Sequence, residues 1–198
     1  ILSMVLQSDI EKIRTTLEEV DKTAFQGAVD AILGAKNIYI LGVRSSAAIA
    51  TFLSFYFNLM FDNVHHIHTS SNAEMFEQMI PGQLAVFYQG DVVIGISFPR
   101  YSSRTVKAMK FAYDRGATVI ALTDSLAAPI ARNATHTLIA MSDMVSLVDS
   151  LVAPLSVVNA LIVACSYRKE EAISKTFANL EEIWDEYGVY EKVDDLGG

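Results

Sequence analysis

Apolar residues fall into short continuous runs along the chain, separated by longer stretches with the periodicity of helices. Five of these runs have the length and composition of strands and cover residues 37–43, 64–69, 91–98, 118–124 and 136–141. Strands that are apolar nearly throughout and alternate with helices are typical of parallel β-α-β units whose sheet is covered on both faces. The pattern therefore predicts an α/β fold built on a parallel sheet.

Helical periodicity predicts elements before, between and after these strands. The predicted helices outside the alternating part cover about 3–20, 22–35, 145–166 and 169–187. The helix at 145–166, like the one at 45–60, is apolar on most of its circumference, which is typical of helices buried on several sides. Because a chain of 198 residues cannot easily enclose two such helices, we expect them to form a homodimer interface.

Length and composition favour one domain, since the chain has 198 residues and no internal repeat or linker. Within it we expect connector helices over 1–35, the core and a C-terminal helix over 36–187, and a frayed tail over 188–198. The net charge of −8 argues against nucleic-acid binding by this stretch itself.

The compartment is predicted to be the cytoplasm. Cys165 stands alone in an apolar run, as a core thiol in a reducing compartment would. The sequence shows no signal peptide and no uninterrupted apolar stretch of about 18 residues, so no membrane span is expected. The chain opens at Ile1 rather than Met, inside a predicted helix, and we expect further residues upstream.

Two predicted strand-to-helix turns are rich in groups that bind anions. They are GVRSSA at 42–47 and SFPRYSSRT at 97–105. Ligands of open parallel sheets bind beyond the carboxyl ends of the strands, and a helix N-terminus there carries about half a positive charge and unpaired N–H groups. The predicted phosphate ligands are Arg44, Ser45, Ser46, Ser97, Arg100, Ser102, Ser103 and Thr105.

Neither turn has the spacing of a nucleotide-binding loop. The sequence lacks both GxGxxG after the first strand and the GxxxxGK[ST] of nucleotide hydrolases. The bound group should therefore be a single phosphate on a compact molecule, and no cofactor is expected. No metal is expected either, because the histidines at 65, 66 and 68 alternate along a strand and Cys165 has no spacing partner.

These motifs resemble the SIS (sugar isomerase) domain and, within it, the C-terminal ligand-sensing domain of RpiR/MurR-type bacterial transcriptional regulators. The SIS pattern G-x-G-x-S corresponds to Gly42, Arg44 and Ser46, with Arg44 in place of the second glycine. The pattern S-x-S-G-x-T corresponds to Ser97 followed by 102–105, with two inserted residues and a serine in place of the glycine. TDSLAAPIA at 123–131 and SLVDSLVAPLSVVNALIVA at 146–164 are also similar to segments of these regulators, and the resemblance covers about residues 5–185.

The resemblance implies a three-layer α/β/α sandwich with a five-stranded parallel sheet, and we expect the flavodoxin-like strand order 2-1-3-4-5. It also implies a dimeric sensor of a sugar phosphate. Proteins of this branch bind DNA through an N-terminal helix-turn-helix, which is absent from this chain. The helix at 3–20 would then connect to that missing domain.

An isomerase of the same family is the alternative. Moving a proton between two sugar carbons requires a general base within hydrogen-bond reach, and the candidates are His65, His66, His68, Glu74 and Glu77. No residue is assigned a catalytic role. The isomerase hypothesis predicts turnover, the sensor hypothesis predicts saturable binding without turnover, and a scaffold that binds only proteins would ignore phosphosugars.

Several further polar residues could contact the sugar or serve the fold. The possible sugar contacts are His68, Ser70, Ser71 and Glu74. Tyr101 could clamp the sugar, and Asp124 could bind a hydroxyl or cap its own segment. Asp149 and Asn159 fall inside the predicted helix at 145–166, where they would need polar partners if buried.

Overall fold

The computed structural model describes residues 1–67, 87–145, 148–170, 183–184 and 186–188. The strands of the main sheet are β1 (Ile38–Gly42), β2 (Val64–Ile67), β3 (Val92–Ile96), β4 (Thr118–Thr123) and β5 (His136–Ile139). All neighbouring strands are parallel and their order is β2-β1-β3-β4-β5. The predicted α/β fold and flavodoxin-like order are confirmed.

The helices are α1 (Leu2–Glu19), α2 (Lys22–Leu33), α3 (Ser46–Met60), α4 (Ser103–Asp114) and α5 (Val152–Arg168). Helices α2 to α5 cover the two faces of the sheet, and α1 packs on α5. A short 3-10 helix at Ala131–Asn133 precedes β5. No helix in the described part of the chain is both long and apolar enough to cross a membrane.

Alternate residues of β1, β3 and β4 supply two separate cores, as the two-residue period of a strand requires. Ile40 and Ile94 pack with α2, α3 and α5 on one face. Leu41 and Val93 pack with α4 on the other. Cys165 is buried in the first core, where burial raises the pKa of its thiol to about 12. The arrangement is the three-layer sandwich that the resemblance implied.

The register of β1 against β3 brings the two serine-rich turns together. Gly42, the last residue of β1, pairs with Ile96, the last residue of β3. The chain leaves both strands at the same edge and enters α3 and α4. This is the point at which the strand order reverses, where ligands of doubly wound sheets bind.

The predicted helix at 145–166 is wrong at its start, because α5 begins only at Val152. The preceding residues form an antiparallel hairpin of β6 (Met144–Val145) and β7 (Val148–Asp149). Pro154 lies in the first turn of α5, where a missing N–H leaves no hydrogen bond unmade. In a helix starting at 145, the same proline would lie in the third turn and remove a bond. The helix predicted at 169–187 lies mostly outside the described residues.

Helix α1 is attached to both flanks of this hairpin. The hydroxyl of Thr16 accepts a hydrogen bond from the Met141 N–H at 2.9 Å. The hydroxyl of Ser150 donates to a carboxylate oxygen of Asp9 at 2.7 Å, and the hydroxyl of Ser142 donates to the Ser150 carbonyl at 3.0 Å. One hydrogen bond therefore closes the base of the hairpin, and two others attach its flanking residues to α1.

Candidate functional site

The first turn of the site runs from Gly42 into α3 and is sterically tight. A Cβ atom built on Gly42 would lie 2.5 Å from the carbonyl oxygen of Ser46, so a side chain at 42 would force the strand and helix apart. Arg44 has a φ of 59°, in the left-handed region that favours glycine. The second glycine position of the SIS pattern thus keeps a glycine-like backbone while carrying a guanidinium group.

The second turn is shaped by two serine hydroxyls. Ser97 accepts a hydrogen bond from the Ser102 N–H at 3.1 Å, and the hydroxyl of Ser102 accepts one from the Thr105 N–H at 3.4 Å, capping α4. A hydroxyl that accepts still has its own proton to donate. The same serines can therefore hold the turn in shape and donate hydrogen bonds to an oxyanion.

The two turns enclose a cleft with a volume of about 320 Å³. Six of the predicted phosphate ligands line it: Arg44, Ser45, Ser46, Ser97, Arg100 and Ser102. Both guanidinium groups belong to exposed residues, whereas Ser46 and Ser97 are buried at the base of the turns. The cleft presents positive charge at its mouth and hydroxyl groups deeper inside.

The remaining two predicted ligands, Ser103 and Thr105, do not line this cleft. Ser103 is exposed as the first residue of α4. Thr105 is fully buried, and its hydroxyl has no hydrogen-bond partner among the residues that the structure describes. Contact of a ligand with these two side chains stays a prediction.

Tyr101 and Asp124 are bonded to each other. The Tyr101 hydroxyl donates to the Asp124 carboxylate at 2.9 Å, and Thr123 also donates to it at 3.2 Å. Burial, together with this hydrogen bond and the carboxylate charge, raises the pKa of Tyr101 to about 12. Tyr101 therefore stays protonated at neutral pH, and the pair braces the second turn against the end of β4.

The possible sugar contacts His68, Ser70, Ser71 and Glu74 lie outside the described residues, as does Glu77. His65 is described, and its ring stacks on Tyr39 with the ring centroids 4.9 Å apart. In the sheet register His65 pairs with Tyr39, which lies three residues before the end of β1. His65 is therefore roughly 10 Å from the carboxyl edge of the sheet. This candidate base therefore lies away from the cleft.

Asp149 also lines the cleft, although the sequence placed it inside a helix. The hairpin carries it there on β7. Two-residue strands are too short to show an alternating pattern, so nothing in the periodicity separates them from the helix that follows. Pro154 was an available signal, because a proline favours the first turn of a helix that starts shortly before it.

The motifs and the geometry agree with comparisons against known proteins. The family model described as SIS domain matches residues 31–164, more than half of the chain. The chain belongs to the SIS domain family. The sequence resemblance to that family is confirmed.

Its relatives include transcriptional regulators. An uncharacterized HTH-type transcriptional regulator of Haemophilus influenzae is 27% identical over 139 residues, which are 70% of this chain and 46% of the relative. This SIS chain therefore spans less than half the length of that relative.

Solved structures of similar proteins extend the comparison. The sugar isomerase domain of an RpiR transcription factor from Sphaerobacter thermophilus is 30% identical, with a TM-score of 0.82 over 92% of this chain and 98% of that one. Vibrio vulnificus NanR, solved in complex with ManNAc-6P, is 18% identical, with a TM-score of 0.78 over 94% and 69% of the two chains. The similarity to the RpiR transcription factor supports placing this chain in the RpiR branch. The similarity to NanR shows that the two proteins share the fold.

The left-handed backbone at Arg44 gives a stability prediction. Arg44→Gly and Arg44→Ala both remove the guanidinium, but only glycine fits this φ without strain. We expect the glycine variant to be more stable by roughly 0.5 to 1 kcal/mol, since the relief of strain exceeds the entropy that glycine gains on unfolding. Urea denaturation of the two variants measures the difference in free energy of unfolding.

The same pair of substitutions at the exposed Lys107, in the middle of α4, is the control. At position 107 the order of stability should reverse, with the alanine variant more stable than the glycine variant by about 1 kcal/mol. An alanine variant at 44 that is more stable than the glycine variant would contradict the account of the turn.

Proposed function

We propose that this chain is the sugar-phosphate-sensing domain of an RpiR-type transcriptional regulator. The observation that carries the proposal is the shared cleft formed by the turns after β1 and β3. The N-termini of α3 and α4 follow these turns and favour an anion. The guanidinium groups of Arg44 and Arg100 add charge-assisted hydrogen bonds, which are among the strongest that a phosphate receives.

The size of the cleft supports a compact ligand with one phosphate. About 320 Å³ is near the lower end of the range of roughly 300–1,000 Å³ for small-molecule sites. The ligand of the NanR structure, ManNAc-6P, is a compound of this kind. A phosphorylated sugar is therefore the proposed effector, bound by the six cleft-lining residues with Ser103 and Thr105 close by.

A sensor is favoured over the alternative, a phosphosugar isomerase. Isomerisation needs a base beside the reacting carbons; His65 lies away from the cleft, while the candidates His68, Glu74 and Glu77 lie outside the part of the chain that the structure describes. The similarity to the RpiR transcription factor, at 30% identity over nearly all of both chains, supports a regulatory role. Turnover of a bound sugar phosphate is the property that separates the two functions.

The domain organisation and the partners are part of the proposal. We infer one SIS domain with N-terminal connector helices over 1–35, the core and C-terminal helix over 36–187, and a tail over 188–198. A helix-turn-helix preceding α1 would bind DNA in the full-length regulator, as the description of the H. influenzae relative suggests. The cytoplasmic location stays a prediction.

Exposed apolar side chains on α3 and α5 support the proposed homodimer. Phe55, Val163 and Tyr167 are each at least half exposed. A groove of about 430 Å³ between the two helices is lined by Tyr56, Ile162 and other mostly apolar residues. Apolar faces of this kind are typical of protein interfaces, and light scattering of the purified domain reports its mass.

Hydrogen bonds between the hairpin and α1 offer a route from effector to DNA-binding domain. The hairpin contributes Asp149 to the cleft, and the next residue, Ser150, is bonded to Asp9 of α1. A ligand that changes the position of the hairpin would therefore act directly on the helix proposed to connect the two domains. Through this contact, a change at the cleft would reach the connecting helix directly, with no intermediate residues needed.

A thermal-shift panel tests the proposed ligand class. It compares phosphates of hexoses, pentoses and amino sugars with the same sugars unphosphorylated. At 100 times Kd, binding adds about 2.7 kcal/mol to the free energy of unfolding, which is roughly 5 to 11 °C for a domain of this size. We expect such a shift from one or a few phosphorylated sugars and none from the free sugars, with no conversion of the ligand.

Two variants make the panel specific for the cleft. Arg100→Ala should weaken binding roughly 10- to 100-fold, because it removes a hydrogen bond to a charged group. Arg132→Ala removes an exposed guanidinium from the 3-10 helix, outside the cleft lining, and should leave binding unchanged. A flat panel with folded protein would leave the protein-binding scaffold as the better account, and conversion of the ligand would favour the isomerase.

The hairpin contact gives a second prediction, on the response of α1. Ligand binding should slow amide hydrogen exchange in α1, and Ser150→Ala should reduce that effect while leaving affinity nearly unchanged. The reason is that the variant lacks the hydrogen bond to Asp9 but keeps the cleft. Hydrogen-exchange mass spectrometry with and without ligand measures both.

Ser156→Ala is the matched control, since this hydroxyl donates to the Val152 carbonyl within α5. It should preserve the exchange response of α1. An equal response in unchanged protein and Ser150→Ala, or no response in either, would contradict the route through this contact.

A further inference from the structure

We propose that Asp149 recognises the sugar part of the ligand, as the acceptor for one or more of its hydroxyl groups. This inference rests on the proposed function and names the residue that would distinguish a sugar phosphate from phosphate alone. Asp149 lies at the end of β7 and lines the same cleft as Arg44, Arg100 and the serines.

The chemistry of Asp149 is opposite to that of the other polar side chains in this cleft. Arginine can only donate hydrogen bonds, and a serine hydroxyl whose lone pair is already used has a proton left to donate. Such groups suit a phosphate. An ionised carboxylate can only accept hydrogen bonds, so Asp149 repels the unprotonated oxygens of a phosphate but can accept hydrogen bonds from the hydroxyl groups of a sugar.

The carboxylate of Asp149 is also available for a ligand. Within the described ranges of the chain, no hydrogen bond or salt bridge reaches it, although its residue is only partly exposed. Arg44 and Arg100 line the same cleft, yet neither forms a salt bridge with it. A polar group held in a cleft without a protein partner is one that a ligand can satisfy.

The backbone beside Asp149 is held in place before any ligand arrives. Ser142 donates to the Ser150 carbonyl, and Asp149 pairs with Met144 across the hairpin. A group positioned in advance loses little entropy on binding, which raises both affinity and selectivity.

Charge makes the inference testable, because Asp149 should have opposite effects on two ligands. Its negative charge repels a bare phosphate anion, whereas its acceptor oxygens bind the hydroxyls of a phosphate ester of a sugar. Removing the charge should therefore leave binding of inorganic phosphate unchanged or strengthen it. The same change should weaken binding of the sugar phosphate.

The experiment measures two dissociation constants by calorimetry, for inorganic phosphate and for whichever phosphorylated sugars of the panel bind the unchanged protein. Asp149→Asn and Asp149→Ala are compared with Asp143→Asn, which removes a charge from an exposed residue of the same segment outside the cleft lining. For both Asp149 variants we expect the preference for sugar phosphate over inorganic phosphate to fall roughly 10- to 100-fold. Asp143→Asn should keep it.

Each outcome bears on the inference. Retained phosphate binding shows that a variant is folded and that the proposed phosphate site holds. If phosphate and sugar phosphate then weaken or persist in parallel, Asp149 does not recognise the sugar and the inference is overturned. It is also overturned if no sugar phosphate binds more tightly than phosphate. Failure of the unchanged protein to bind either ligand would overturn the proposed function as well.

Discussion

The pairing of Gly42 with Ile96 is the constraint on which the site depends. Because the last residues of β1 and β3 are neighbours in the sheet, two turns that are more than 50 residues apart in sequence open at one point. Each turn alone would be an ordinary strand-to-helix connection with a serine cap. Together they bring two helix N-termini, two guanidinium groups and four serines to one cleft.

Close packing around this pairing limits which residues the turns can contain. Gly42 has no room for a Cβ beside the Ser46 carbonyl, and Arg44 adopts a backbone conformation that favours glycine. Holding Arg44 there costs roughly 1–2 kcal/mol. That cost is consistent with a positively charged side chain that serves binding rather than stability, since the fold would be satisfied by glycine.

Much of this architecture could be predicted from the sequence, and the failures have physical reasons. The central strands β1, β3 and β4 are buried almost throughout, so their apolar runs marked them to within a few residues, and the two turns followed from the residues after β1 and β3. The hairpin that carries Asp149 was missed because Val145, Leu147 and Val148 are equally compatible with the start of an apolar helix. The positive φ at Arg44 was not predicted, although the glycine that the SIS pattern has at this position was a signal for it.

The central claim is that both turns bind one phosphate. The most direct measurement is a titration of the ¹⁵N-labelled domain with inorganic phosphate, followed by NMR of the backbone amides. The account predicts that the amides of residues 45–47 and 103–105 shift together and saturate with one dissociation constant. Shifts confined to one turn, or absent from both while other basic surface residues respond, would contradict it.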